Sequence, residues 1–98
     1  MNIISEHNKM RFEVEDVTYE VIYNFRDAFN KDIFLEKFID VLKDKQFIVG
    51  DLSGDKLRLK GFILTKDNNS PNNINNLQDY ILEYCNFGCP FFVLEKKK

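Results

Sequence analysis

The sequence predicts an α+β fold, a largely antiparallel sheet with two helices packed on one face. Three observations lead there. Two stretches alternate apolar and polar residues with the period of a strand and fold back as hairpins. Two others repeat apolar residues at helical spacing. The elements interleave in the order β-β-α-β-β-α-β, so hairpins alternate with single helices.

The first hairpin lies in "KMRFEVEDVTYEVIYN". Met10, Phe12 and Val14 share one face, with Arg11, Glu13 and Glu15 on the other; Val17, Tyr19, Val21 and Tyr23 then alternate again. A two-residue turn at Glu15-Asp16 pairs Val14 with Val17, Phe12 with Tyr19 and Met10 with Val21, all on one face. Glu-Asp is a poor dipeptide for a primed turn, which needs positive φ at both central residues.

In "NFRDAFNKDIFLEKFIDVLKDK", Asn30 is the expected N-cap, with Phe29 and Phe34 at the positions of a hydrophobic staple. Phe34, Phe38, Val41 and Leu42 recur at helical spacing, widened by Leu35 and Ile39. Glu36, Lys37, Asp40, Lys43 and Asp44 form the wet face, and the expected helix runs from Lys31 to Asp44.

"QFIVGDLSGDKLRLKGFIL" reads as the second hairpin, turning at Gly54-Asp55. That register sets Leu52 across from Leu57 and Gly50 across from Leu59 on one face. On the other it opposes Asp51 to Arg58 and Phe47 to Phe62, and the opposite charges support it. The Asn-rich stretch 66–76 is expected to be a mobile loop. In "NLQDYILEYC", Asn76 and Asp79 resemble a capping box, and Leu77, Tyr80, Ile81, Tyr84 and Cys85 form an apolar stripe. "PFFVLE" is the last strand. Residues 1–8 and 96–98 are expected to fray, and residues 1–98 make a single domain.

Composition narrows the function. A chain of 98 residues buries roughly 65% of its unfolded surface, enough for one modest core. Ten phenylalanines supply much of that burial. A net charge of −2 argues against nucleic-acid binding through the overall field, though it leaves room for a local basic patch. The first residues lack the shape of a signal peptide, and the apolar runs are too short to span a membrane. The expectation is a cytoplasmic protein with reduced thiols.

"NFRDAFN", "IVGD", "LRLKGF" and "DYILEYCNFGCPFFVL" together resemble the YutD-like family of small proteins from low-GC Gram-positive bacteria. The resemblance runs in order from about Tyr19 to Leu94. It implies a compact intracellular α+β domain and carries no activity, cofactor or catalytic residue to transfer.

Three candidate sites are visible. Cys85 and Cys89, with one distant His7, cannot complete a tetrahedral zinc site alone. Cys85 would end a helix, where the dipole disfavours a thiolate, and it continues an apolar stripe. Both cysteines are therefore expected to be buried structural thiols, ahead of a redox pair or a metal site completed in a dimer or by carboxylates. Lys56, Arg58 and Lys60 put three cations on one sheet face, a contact strip for phosphate or a solvated face. Arg26-Asp27 sits in a loop between strand and helix, either pinning that loop or meeting an anion. No motif supplies a nucleophile, a phosphate-cradling loop or a metal cage.

The expected function is a non-catalytic protein-binding or regulatory module that needs no cofactor. Its expected contact residues are Arg26, Asp27, Phe47, Asp51, Arg58, Lys60 and Phe62. One alternative is an RNA- or DNA-associated module using Lys56-Arg58-Lys60. The second is an enzyme or metal protein whose site is assembled from separate segments.

Overall fold

The structure, a computed structural model, describes residues 10–53, 56–64, 73–84 and 88–97, with residues 82–84 described at the backbone alone. The strands are β1 (Met10–Val14), β2 (Val17–Phe25), β3 (Phe47–Ser53), β4 (Lys56–Phe62) and β5 (Phe91–Lys97). Helix α1 (Lys31–Lys37) is followed by a 3₁₀ turn at Asp40–Asp44, and helix α2 (Leu77–Tyr84) is preceded by one at Ile74–Asn76. The strands form one sheet in the order β1-β2-β5-β3-β4, with every adjacent pair antiparallel. Class and element order are those the sequence predicts.

Both hairpins have the expected register. Val14 faces Val17, Phe12 faces Tyr19 and Met10 faces Val21. Glu15 and Asp16 take φ of 48° and 75°, the left-handed pair a primed turn demands. The Lys43 ammonium lies 2.6 Å from Glu15 Oε1, so the turn is tied to the helical layer. In the second hairpin Phe47 faces Phe62, Gly50 faces Leu59, Asp51 faces Arg58 and Leu52 faces Leu57. Its expected turn at Gly54-Asp55 lies outside the described residues.

The two helices do not share a face. One core gathers Phe12, Tyr19, Val21, Ile48, Leu57, Phe92 and Leu94 beneath Phe34 of α1 and Leu42. The other gathers Val49, Phe62 and Val93 beneath Leu77, Tyr80 and Ile81 of α2. Alternate residues of β3 and β5 feed opposite cores, which corrects the expectation of a sheet covered on one face. The physical reason is visible in β5: Phe91, Phe92, Val93 and Leu94 are consecutive, and such a run is stable only if both faces are covered.

Asn30 caps α1 as expected, its Oδ1 accepting a hydrogen bond from Ile33 N at 3.1 Å. The staple also forms, with the Phe29 and Phe34 rings 6.0 Å apart. The helix nevertheless stops at Lys37. Phe38 and Ile39 are extended, and the chain resumes as a 3₁₀ turn. Two tertiary contacts hold that turn: Lys43 binds Glu15, and Lys96 Nζ donates to the Lys43 carbonyl at 2.6 Å. These contacts come from distant segments and win over local helical periodicity.

Three boundaries change for similar reasons. Lys96 and Lys97 are not a frayed tail; they extend β5 against Tyr19 and Thr18. Asn73 is fully buried in a parallel bridge with Ile63, so the Asn-rich stretch is anchored at that end. Asn73 Oδ1 also accepts from Asn75 N at 3.0 Å, which caps the 3₁₀ turn ahead of α2 and sets Asn76 inside that turn. Residues 1–8 and 66–72 lie outside the described residues.

Gly50 sits at the centre of this arrangement. A Cβ there would fall 2.1 Å from Cζ of Phe92, its cross-strand partner on β5. Gly50→Ala should therefore destabilise the fold by about 1–3 kcal/mol through overpacking. Urea unfolding should show Phe92→Leu in the same chain recovering part of that loss, because the two sites couple through one contact.

Tyr19 is fully buried among Phe12, Phe34 and Phe38, and its hydroxyl has no hydrogen-bond partner among the described residues. Burial pushes the phenol above its ordinary value of 10, partly offset by Lys43. A raised folded value means the stabilisation is fully present below pH 10 and is lost as pH rises through the folded value. Tyr19→Phe should stabilise by about 1 kcal/mol at neutral pH by removing the unsatisfied hydroxyl. It should also lessen the fall of melting temperature above pH 10 relative to the parent chain.

Candidate functional site

Asp51, Arg58, Lys60, Phe47 and Phe62, all singled out in the sequence, lie on the α2 side of the sheet, while Asp27 does not join them. Asp51 on β3 is completely buried, and its Oδ1 accepts from Arg58 Nε at 2.9 Å and Nη2 at 2.7 Å. Its Oδ2 accepts from the Tyr80 hydroxyl of α2 at 3.0 Å. Burying a carboxylate demands this degree of satisfaction. Hydrogen bonding to Asp51 holds the Arg58 guanidinium above its usual value.

Lys60 Nζ stands 5.4 Å from the Phe62 ring centroid and 5.8 Å from that of Tyr80. The Phe62 and Tyr80 rings meet edge to face at 5.5 Å. This grouping links β3, β4 and α2 through a buried acid, two cations and two rings. Phe62 is fully buried and Phe47 half-buried in the core under α2, which removes Phe62 from the expected contact residues. The expected cationic strip is also changed. Lys56 is exposed, Arg58 is committed to Asp51, and Lys60 lies over aromatic rings.

Arg26 and Asp27 form the left-handed corner between β2 and α1, with φ of 58° and 55°. No ion pair joins them. Arg26 lies over the Phe25 ring at 5.4 Å and against Gly88, where an added Cβ would sit 3.4 Å from Nη2. Asp27 lines a cleft with Ala28, Asn30, Ile33, Leu52 and Leu57. Phe25, Phe91, Asp51 and Arg58 occupy one row across β2, β5, β3 and β4. Arg26 therefore follows a row that ends at Arg58 about 14 Å from Phe25, and the two guanidinium groups have separate partners, the Phe25 ring and Asp51.

Cys89 is half-buried and disulfide-bonded, which corrects its expected state as a buried thiol. It follows the left-handed Gly88 (φ 78°) and belongs to neither apolar core. Cys85 lies outside the described residues.

Sequence reasoning missed three features. Glu20 is buried and bound by Arg11 Nε at 2.7 Å, although alternation placed it on a polar face. Tyr80 was read as core, and its hydroxyl is the α2 contact to Asp51. Ile39 and Val41, assigned to the apolar stripe, are 59% and 57% exposed. The β-branched pair flanking Asp40 was the one available sign that helix would not persist there.

The chain is similar to known proteins across most of its length. The sequence model of the family described as "Putative antitoxin YutD-like" matches residues 13–95. A relative from Bacillus subtilis (strain 168), described as "Putative antitoxin YutD", is 39% identical over 85 residues, covering 85% of this chain and 93% of its own. The solution NMR structure of protein yutD from B. subtilis superposes with a TM-score of 0.78 at 34% identity, covering 96% of this chain and 87% of that one.

The Asp51 network sorts the two central cations by role. Arg58→Ala strips two donors from a buried carboxylate and should destabilise by about 1–3 kcal/mol. That is below the loss for a fully buried pair, because the Arg58 side chain is 41% exposed and water re-solvates part of the site. Lys60→Ala should cost under about 1 kcal/mol, the scale of an exposed cation–π contact. Paired thermal melts of the two variants check the order.

Proposed function

Because the chain belongs to the YutD-like family, whose description carries the word antitoxin, we propose that it is a non-catalytic module that binds a partner protein. The observation that carries this reading is the outward face of the α1 layer. Leu35, Ile39 and Val41 are all exposed within seven residues, among Glu36, Lys37 and Asp40. Water-exposed aliphatics set among mixed charges are the composition of a protein contact rather than of a solvated face. The break at Phe38 and Ile39 creates that exposure.

The α2 side supports a different role for the cations. Arg58 is held by Asp51 and Lys60 by two rings, which leaves little of the basic strand for phosphate. An antitoxin counters a toxin, and a small domain with no visible nucleophile or phosphate loop would do so by contact. Among the described residues no helix is long and apolar enough to cross a membrane.

The test is recovery of partners from the native host with and without nuclease, using the tagged chain and its Ile39→Ser, Val41→Ser double variant. Both positions are mostly exposed, so folding should change by no more than about 0.5 kcal/mol per site. Nuclease-resistant protein partners should fall about fivefold or more, as expected for apolar contacts worth over about 1 kcal/mol together. Undiminished recovery by the variant would place the interface elsewhere, and partners lost to nuclease would favour the nucleic-acid alternative.

A further inference from the structure

We propose that the cleft between the β2–α1 corner and the second hairpin receives a lysine or arginine side chain of the partner protein, with Asp27 as its counter-ion. This rests on the protein-binding reading above and adds the chemistry of one contact. The cleft has a volume of about 230 Å³ and is lined by Asp27, Ala28, Asn30, Ile33, Leu52 and Leu57. Small-molecule sites usually span about 300–1,000 Å³, so this cleft suits a single side chain better than a metabolite.

The lining sets the chemistry. Ala28, Ile33, Leu52 and Leu57 make apolar walls that an alkyl stem would cover. Among the described residues the polar groups of the lining are Asp27 and Asn30, and Asn30 Oδ1 already accepts from Ile33 N. Asp27 is exposed and has no ion-pair partner among the described residues. Its neighbour Arg26 is turned away over the Phe25 ring and does not neutralise it. Asp27 is both exposed and part of the lining, so a cation seated in the cleft can reach its carboxylate from the open side. An alkyl stem carrying a terminal cation satisfies both parts of this surface. A purely aliphatic side chain would leave the carboxylate unmatched, and an acidic one would meet it with like charge.

The experiment uses the full chain alone, with amide-proton and methyl NMR shifts as readout and three capped amino acids as probes. These are N-acetyl-arginine methylamide, N-acetyl-lysine methylamide and N-acetyl-norleucine methylamide. The cationic probes should shift Asp27, Ala28, Ile33, Leu52 and Leu57, with apparent affinity roughly threefold to tenfold above norleucine, which keeps the stem and lacks the charge. Asp27→Asn tolerates the same left-handed backbone, so it should fold normally, and it should bring all three probes to the norleucine level. Equal binding of norleucine to the parent chain, or no shift at these residues with any probe, overturns the proposal. No partner protein enters this measurement, so its failure leaves the exposed α1 face untouched, and failure of that face leaves the cleft untouched.

Discussion

The fold depends on β5 being packed on both faces. It enters between β2 and β3, and without it the sheet separates into two hairpins that touch nowhere else in the ladder. Phe92 and Leu94 belong to the core under α1, while Val93 belongs to the core under α2. A large side chain fully buried contributes about 1.5–3 kcal/mol, so three consecutive ones make this strand the main link between the layers. The close fit of Phe92 over Gly50 places the strand: any side chain on β3 at that point would push the two apart. β5 is also the last element in sequence. The central contacts are therefore non-local, and the sheet cannot close until the whole chain is available.

The two helical layers are attached by different chemistry. The α1 layer rests on aromatic packing, with Phe34 within 6.4 Å of the rings of Phe12, Tyr19, Phe29, Phe38 and Phe92. The α2 layer combines an apolar stripe with the Tyr80–Asp51–Arg58 network. A buried carboxylate is costly unless each oxygen is matched, so the hydrogen bonds position α2 more strictly than apolar contact alone would. Of the cations most conspicuous in the sequence, Arg58 is thus committed to the buried Asp51 and Lys60 to two rings, while Lys56 stays exposed. Meanwhile, aliphatics of the α1 layer face outward. Polar groups turned in and aliphatics turned out is the inversion on which the functional reading turns.

Much of this was legible in the sequence. Strand period, the hairpin registers and the Asn30 cap are decided by residues close in sequence, and each appears as the pattern requires. A one-residue slip of the first hairpin would send Phe12, Val14, Tyr19 and Val21 away from their core, and a slip of the second would exchange the residues that feed the two cores and part Asp51 from Arg58. The family resemblance also holds over most of the chain. The run Phe91–Leu94 even carried the signal for two covered faces, since alternation is what a one-sided sheet would need.

What the sequence by itself determined is the class and order of the elements, because helical and strand periodicity are properties of short segments. The tertiary structure decided which face each helix covers, where α1 breaks and which cations remain available. Those outcomes depend on contacts between segments far apart in the chain: Lys43 with Glu15, Lys96 with the Lys43 carbonyl, and Tyr80 with Asp51. Periodicity cannot report such contacts, since it records only which side of an element is apolar and not which distant element will meet it.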